Sequence, residues 1–396
     1  MIKREHYLEQ IRGFYDSDLI KIIMGIRRSG KSIILEQIME EIKNKSDNVI
    51  YLNFEDERII STISNAKQLL EYINKNRKNG KNYLFFDEIQ EVKDWQLACK
   101  TLRLDNHSVF ITGSNSKLLS NEFTKEFSGR YVSFQIRPFV YKEIMEYCQE
   151  LKISCSIMDY LIWGGFPKRF EFQKEADKIK YLNEINSSIV EKDLISRFKI
   201  QNMELFKRIT NYVLKSNSRI FSARSIEGYL KNEHIDGSIN TIIKYLNYLE
   251  EAYIIERIKP YSTKTKNELA YYFKIYNSDV AFNSIRCMDN RYDLTHNLEN
   301  IVYNELLFMG YNINVFHNND KEIDFLIFKD NKQYYIQVAY SIADEKTYNR
   351  EFNAFKNLDN TIKKVIITND EIDYSTSMVT HIKLKDFLLL ESLDNI

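Results

Sequence analysis

Apolar residues along the chain follow two rhythms, and the order of those rhythms sets the expected architecture. In the first third, short apolar runs of strand character alternate with helical spacings. The runs are Leu19–Met24, Asn48–Phe54, Tyr83–Phe86, His107–Thr112 and Tyr131–Ile136. Between them, Ile33, Ile34, Leu35, Ile38 and Met39, then Lys67–Ile73, then Trp95, Ala98 and Leu102 carry the 3.6-residue period of helices, the last with Asp94 as its cap. Residues 1–18 read as a short amphipathic helix leading in. Strands separated by helices predict a parallel sheet, with ligands at its carboxyl edge.

From Phe139 to about Leu194 the spacing is helical throughout, broken only at Trp163-Gly164-Gly165-Phe166-Pro167. Phe206, Ile209 and Val213, then Ser222–Ile226, then Ile239, Ile242, Ile243, Leu246 and Leu249 behind Ser238 predict three compact helices. Two strands follow, Ala252–Ile255 and Tyr271–Ile275, around a basic turn. That is a winged-helix order. Beyond Thr295 a helix (Leu298–Phe308) precedes strands at Tyr311–Phe316, Glu322–Ile327, Tyr334–Ala339 and Lys364–Ile367. The expected domains are a core over 1–138, a helical lid over 139–200, a winged helix over 201–283 and an α/β unit over 284–396.

Composition narrows this only a little. Among 396 residues, Lys+Arg and Asp+Glu balance at 56 each, which argues against a generally basic nucleic-acid coat. Four scattered cysteines form neither a zinc pattern nor a disulfide framework, and suit a reducing cytosol. No apolar run approaches the roughly 18 residues of a membrane span, and Met1–Gln10 is too charged for a signal peptide. A cytoplasmic location without membrane contact is expected.

The chemistry concentrates at strand ends. After Leu19–Met24, the residues Gly25-Ile26-Arg27-Arg28-Ser29-Gly30-Lys31-Ser32 fill G-x-x-x-x-G-K-[ST], and Ile33 opens a helix. Backbone N–H groups from Gly25 to Ile33 would cradle phosphate oxygens, Lys31 would reach the β- and γ-phosphates of ATP, and Ser32 would bind Mg²⁺. The run Tyr83–Phe86 ends in Asp87 and Glu88, a Walker B pattern: Asp87 for the Mg²⁺ shell and Glu88 as the base that polarises water. An additional strand, and a glutamate after the Walker aspartate, resemble the additional-strand P-loop ATPases. Ser114 or Asn115 then stands at the polar sensor position, and Asn115 is taken as the catalytic candidate. Arg130, in Phe127-Ser128-Gly129-Arg130, is a candidate transition-state arginine, in cis or lent by a neighbouring subunit, or else an anchor of the edge strand.

The third helix of the winged-helix segment exposes Asn240, Lys244 and Asn247, with Arg257, Lys259, Lys264 and Lys266 in the wing. One lysine on the reading face is thin for gripping phosphates, so DNA and a protein stand as alternative partners. In the last segment an acid opens one strand (Asp324), with Glu299 or Glu305 as a helix acid, as in metal-dependent nucleases of the restriction-endonuclease type. Gln337 and Ala339 stand where that pattern needs Glu and Lys.

Taken together, GIRRSGKS, YLFFDEIQ, ITGSNSKLLS with SGR, GGFP, and EIDFLIF with YIQVAYS resemble the prokaryotic AAA+-related ATP-binding proteins that end in a domain of unknown function. The resemblance implies an α/β protein: a P-loop ATPase core with helical lid, winged helix and a restriction-endonuclease-like tail. Lys31, Ser32, Asp87 and Glu88 carry over as ATP and Mg²⁺ residues. Gln337 and Ala339 depart from the active nuclease pattern. An ATPase that drives rearrangement of its appended domains is expected, with an oligomer as the setting for Arg130 in trans. The alternative is an ATP-regulated DNA-binding or nuclease-related module.

Overall fold

A computed structural model describes residues 2–114, 127, 129–261, 272–287, 291–318, 321–394 and 396. The chain divides into two compact units, residues 1–138 with 251–253, and residues 139–250 with 254–396. Asn115, Ser128, Lys264 and Lys266 lie outside the described residues.

The first unit is a five-stranded sheet built from β1 (Ile20–Met24), β2 (Val49–Asn53), β3 (Tyr83–Asp87), β4 (Ser108–Gly113) and β5 (Tyr131–Gln135). The order is β2-β3-β4-β1-β5, and every pairing is parallel. The three central strands are continuous apolar runs, almost wholly buried, because helices cover both faces. The edge strands β2 and β5 are mostly half-buried. Side chains alternate across β3: Leu84 and Phe86 join a core with Leu69, Ile73, Trp95, Ala98 and Leu102, whereas Phe85 stacks on Phe110 at 4.6 Å. In space the strand inserted between β1 and β3 is β4, while β2 lies at the edge. Helix α1 (Glu5–Arg12) and helix α2 (Lys31–Lys43) pack together. Asp94 precedes helix α3 (Trp95–Leu104) in a left-handed conformation and makes no capping bond, contrary to the expectation from sequence.

In the second unit, helices α4 (Tyr141–Leu151), α5 (Ile157–Trp163) and α6 (Glu175–Asn186) come first. Cys148 and Cys155, which their spacing left unpaired, are disulfide-bonded between α4 and the start of α5. Helices α7 (Met203–Lys215), α8 (Ala223–Asn232) and α9 (Ile239–Glu251) are accompanied by an antiparallel sheet. Its order is β6-β9-β7, from β6 (Ile220–Ser222), β7 (Ile255–Ile258) and β9 (Tyr272–Asn277). Strand β6 is an element the hydrophobic pattern did not announce. Ser238 Oγ accepts from Thr241 N at 3.2 Å, the expected cap.

Helix α10 (Leu294–Phe308) is buried on nearly every side. It packs against α5 and against a six-stranded sheet of order β14-β13-β12-β11-β10-β8. These strands are β8 (Pro260–Tyr261), β10 (Asn312–Asn318), β11 (Lys321–Lys329), β12 (Lys332–Ala339), β13 (Lys363–Thr368) and β14 (Thr380–Lys383). Strands β10, β11 and β12 form an antiparallel meander, and β12, β13 and β14 run parallel. A helix so enclosed can carry polar residues only if they are bonded. Accordingly Asn300 exchanges hydrogen bonds with the Asn277 backbone, 2.8 Å each way, and Asn297 donates to Leu161 O at 2.9 Å.

The Gly164-Gly165-Phe166-Pro167 turn is part of the same packing. Gly164 has φ +65° and ψ −158°, a conformation for glycine alone, and a Cβ there would overlap the Asp279 carboxylate. That carboxylate accepts from Gly165 N at 2.7 Å and Ala281 N at 2.8 Å, and burial pushes it up to about 6. Gly164→Ala should therefore destabilise the second unit by about 1–3 kcal/mol or more. Gly228→Ala, in α8 with open space around it, should be neutral or gain about 0.4–1 kcal/mol. Denaturant unfolding of both variants checks the contrast; equal midpoints would remove the turn from the packing argument.

Candidate functional site

The loop after β1 is shaped by its glycines. Gly25 has φ +146°, and a Cβ there would run into the Ile136 carbonyl, so the chain passes β5 at backbone contact. Gly30, at φ +97°, ends the loop and precedes α2 with no side chain capping the helix and no acid in its first turn. The N–H groups of Lys31, Ser32 and Ile33 therefore have no intrahelical acceptor, and the positive end of α2 is uncompensated. Ser29 Oγ is buried without a hydrogen-bond partner among the described residues. Such a cradle fits a chain of phosphates.

Lys31 is 4% exposed, and its Nζ donates to Ile26 O at 3.3 Å, within 3.9 Å of Glu88 Oε1. Burial lowers its affinity for a proton, and the carboxylates of Glu88 and Asp87 work against that. Asp87 and Glu88 sit at the end of β3, next to the end of β4. There Thr112 Oγ1 donates to Asp87 Oδ1 and accepts from Glu88 N at 2.9 Å. Tyr51 donates to Asp87 Oδ2 at 3.3 Å, and burial followed by the Asp87 charge raises its phenol. Glu88 is in the left-handed region (φ 51°), and its Oε2 accepts from Gln90 Nε2. The acid thus lies between an ammonium and an amide, at the mouth of the phosphate cradle.

Two residues of this site escaped the sequence reading. Thr112 looked like the last position of an apolar strand; here it organises both acids. Arg4 stands ahead of α1 in the charged run Lys3-Arg4-Glu5, yet its guanidinium is buried, giving bonds to Ser29 O (2.9 Å) and Arg137 O (3.0 Å). It ties the back of the phosphate loop to the strand end beyond β5. Ser114 follows β4 at the same edge, half-buried. Asn115 lies outside the described residues.

Arg130 is not brought to this cluster. It is exposed, at the amino end of β5, and its carbonyl accepts from Ile20 N at the amino end of β1. Because β1 and β5 are parallel, about 16 Å of strand separates that edge from the phosphate loop. Within its own chain Arg130 sits at the sheet edge opposite the phosphate loop, the position of an edge-strand anchor or of an arginine lent to a neighbouring copy.

A second cluster of charge lies inside the other unit. Lys274 of β9 is 3% exposed, and its Nζ is 2.7 Å from Glu299 Oε1, 2.7 Å from Glu322 Oε1 and 3.1 Å from Asp324 Oδ1. Burial would lower the lysine, but the three carboxylates outweigh it and hold it well above its ordinary range. Burial and then Asp324 push Glu299 up to about 8. Glu305, the other candidate helix acid, is elsewhere: it accepts from Tyr141 N at 2.8 Å and Tyr160 Oη at 3.1 Å. Gln337 is fixed from both ends, accepting from Asp324 N at 3.3 Å and donating to Glu351 Oε2 at 2.7 Å.

On the α9 side, Arg257 is engaged by Glu250 and Asn247, the latter at 2.7 Å, and Lys244 lies 5.8 Å from the Tyr248 ring centre. The polar face of that helix is partly spent within the unit.

Comparison with known proteins adds the following. Residues 17–145 match the family described as AAA domain, and residues 155–286 and 295–387 match two domains of unknown function, DUF8612 and DUF4143. An uncharacterized protein of Haemophilus influenzae is 32% identical over 378 residues, covering 93% of each chain. The uncharacterized protein MJ1544 of Methanocaldococcus jannaschii is 34% identical over 374 residues, covering 89% of this chain and 82% of that one. Among solved structures, the Walker-type ATPase PABY2304 of Pyrococcus abyssi aligns with a TM-score of 0.47 at 14% identity, over 72% of this chain and 96% of that one. AMPPCP-bound DnaA from Aquifex aeolicus aligns with a TM-score of 0.34 at 15% identity, over 63% and 89%. Scores and identities of this order carry no functional information.

Proposed function

Because the chain belongs to the family of AAA-domain proteins that includes the Haemophilus influenzae and Methanocaldococcus jannaschii relatives, we propose that it hydrolyses ATP with Mg²⁺ and uses the turnover to rearrange its appended domains. The carrying observation is the meeting of Lys31, Asp87, Glu88 and Thr112 at one sheet edge, in front of an uncapped helix. The N–H groups from Gly25 to Ile33 bind the phosphate chain, and Lys31 takes the β- and γ-oxygens. Ser32 and Asp87 would hold Mg²⁺, which when bound would supply neutralising charge at those oxygens. Glu88 accepts a proton from water as its oxygen bonds to the γ-phosphorus, and the bond to the bridging oxygen breaks with its electron pair leaving on ADP. Thr112 positions both acids. Arg130, where it acts, serves the nucleotide of another copy.

In this reading residues 139–200 are the lid, 201–283 a winged helix and 284–396 a restriction-endonuclease-like unit that does not cut. Support for the winged helix is the order helix, strand, two helices and then β7 and β9 of one antiparallel sheet over Met203–Asn277, with β8 of the six-stranded sheet between those two. The engagement of Arg257 by Glu250 favours protein packing over DNA for its third helix. Support for a non-cutting tail is that Gln337 is bound as an amide and Lys274 fills the acid cluster.

The test is turnover of the full chain with Mg²⁺, with and without DNA, together with cleavage assays on plasmid and single-stranded DNA and RNA in Mg²⁺ or Mn²⁺. Hydrolysis that stops in chelator, is unchanged by DNA and leaves all nucleic acid intact is expected. Cutting that vanishes in Asp324→Ala would overturn the tail assignment, and DNA-stimulated hydrolysis would move the function to a DNA-associated module.

A further inference from the structure

The carboxylates around Lys274 come from two elements outside the lysine's own sheet. Glu299 projects from α10, while Glu322 and Asp324 come from β11. All three meet one ammonium inside the unit. Their other contacts are modest: Glu299 Oε1 accepts from Tyr276 Oη at 2.8 Å, and Asp324 Oδ2 from Val338 N at 2.9 Å. A single positive charge is too little for three acids. Part of the shortfall is relieved by water at Glu322, whose side chain is 30% exposed. Three oxygens are fewer than the roughly six a divalent cation takes, and among the described residues no group of three or more acids, histidines or cysteines is arranged to hold a metal ion, so the ammonium is the cation of this pocket. The contact lengths, 2.7–3.1 Å, are those of an ammionium's hydrogen bonds, against about 2.0–2.1 Å for Mg²⁺–oxygen bonds.

We propose that Lys274 is an internal cation standing in a divalent-ion pocket, so that the chain itself supplies the charge a metal would bring. The strand β9 is thereby fastened to the six-stranded sheet, and the unit holds together in the presence of chelators. Removing the ammonium leaves Glu299, Glu322 and Asp324 facing one another, and a metal ion becomes the remedy for their repulsion. This inference is independent of ATP turnover and is tested without nucleotide.

The experiment titrates MnCl₂ alone into the nucleotide-free full chain, following bound Mn²⁺ by electron paramagnetic resonance and stability by thermal unfolding. In chelator, Lys274→Ala should unfold at a lower temperature than the parent. In Mn²⁺ it should bind one more ion per chain than the parent and recover much of the lost midpoint, while the parent's midpoint stays put. Adding Asp324→Asn to Lys274→Ala should abolish both gains. Equal Mn²⁺ binding by parent and Lys274→Ala would overturn the proposal, as would parental Mn²⁺ binding that disappears in Asp324→Asn. If Lys274→Ala does not fold, the double variant Lys274→Met with Glu299→Gln decides: it should fold without metal and ignore Mn²⁺. Failure of that double variant to recover would show that the lysine is not there for its charge.

Discussion

Lys31→Ala is expected to lose most nucleotide affinity and to lower turnover by about 10²–10³-fold, the effect of deleting one donor aimed at developing charge. The side chain is packed under the loop, with Nζ on the Ile26 carbonyl and the Glu88 carboxylate 3.9 Å away. Alanine removes the cation and leaves the backbone cradle, whose N–H groups run from Gly25 to Ile33 and do not depend on the lysine side chain. Weak binding with intact folding is the expected phenotype. Affinity for a fluorescent ATP analogue and steady-state hydrolysis measure the two halves separately. A variant hydrolysing at the parental rate would mean that the phosphates are bound elsewhere.

Glu88→Gln should separate binding from chemistry. The amide keeps the shape and can still accept a hydrogen bond, but it cannot take a proton from water, a role worth about 10²–10⁴-fold. ATP should bind and persist, detectable as nucleotide retained after gel filtration and as slow single-turnover cleavage. The neighbouring acids are poor substitutes. Glu55 pairs with Arg27 at 3.0 Å, and Asp56 caps the next turn while pairing with Arg58. Unchanged turnover in the variant would nevertheless move the base role to one of these two.

The parts of this protein legible in the sequence are those set by local rhythm. Strands β1, β3 and β4 are buried on both faces and read as unbroken apolar runs, and the loop between β1 and α2 announces itself by glycine spacing. Strand β6 has three residues, one of them exposed, and no run that short stands out from a loop. Thr112 acquires its role because β4 lies between β1 and β3, a pairing that no local pattern specifies. The bond from Arg4 to the Arg137 carbonyl depends on the same long-range closure. Lys274, in Tyr-Tyr-Phe-Lys-Ile-Tyr, carries no local sign of its role, because its burial is decided by acids that arrive later in the chain. The edge at which Arg130 sits is likewise not local information, since it follows from the parallel pairing of β5 with β1.

The bonding of Gln337 makes the present state of the tail hard to leave one step at a time. Gln337→Glu alone would set a second carboxylate 2.7 Å from Glu351, itself raised by burial, and would bring no charge to offset it. Changing Ala339 alone to a lysine drives a cation into an apolar cluster with Ile323, Tyr335 and Phe355. Removing Lys274 alone uncovers three acids. Each of these single substitutions is a step uphill. The cluster is therefore conservative by construction: each side chain holds a partner that a point mutation would strand, so its members are expected to change together or not at all.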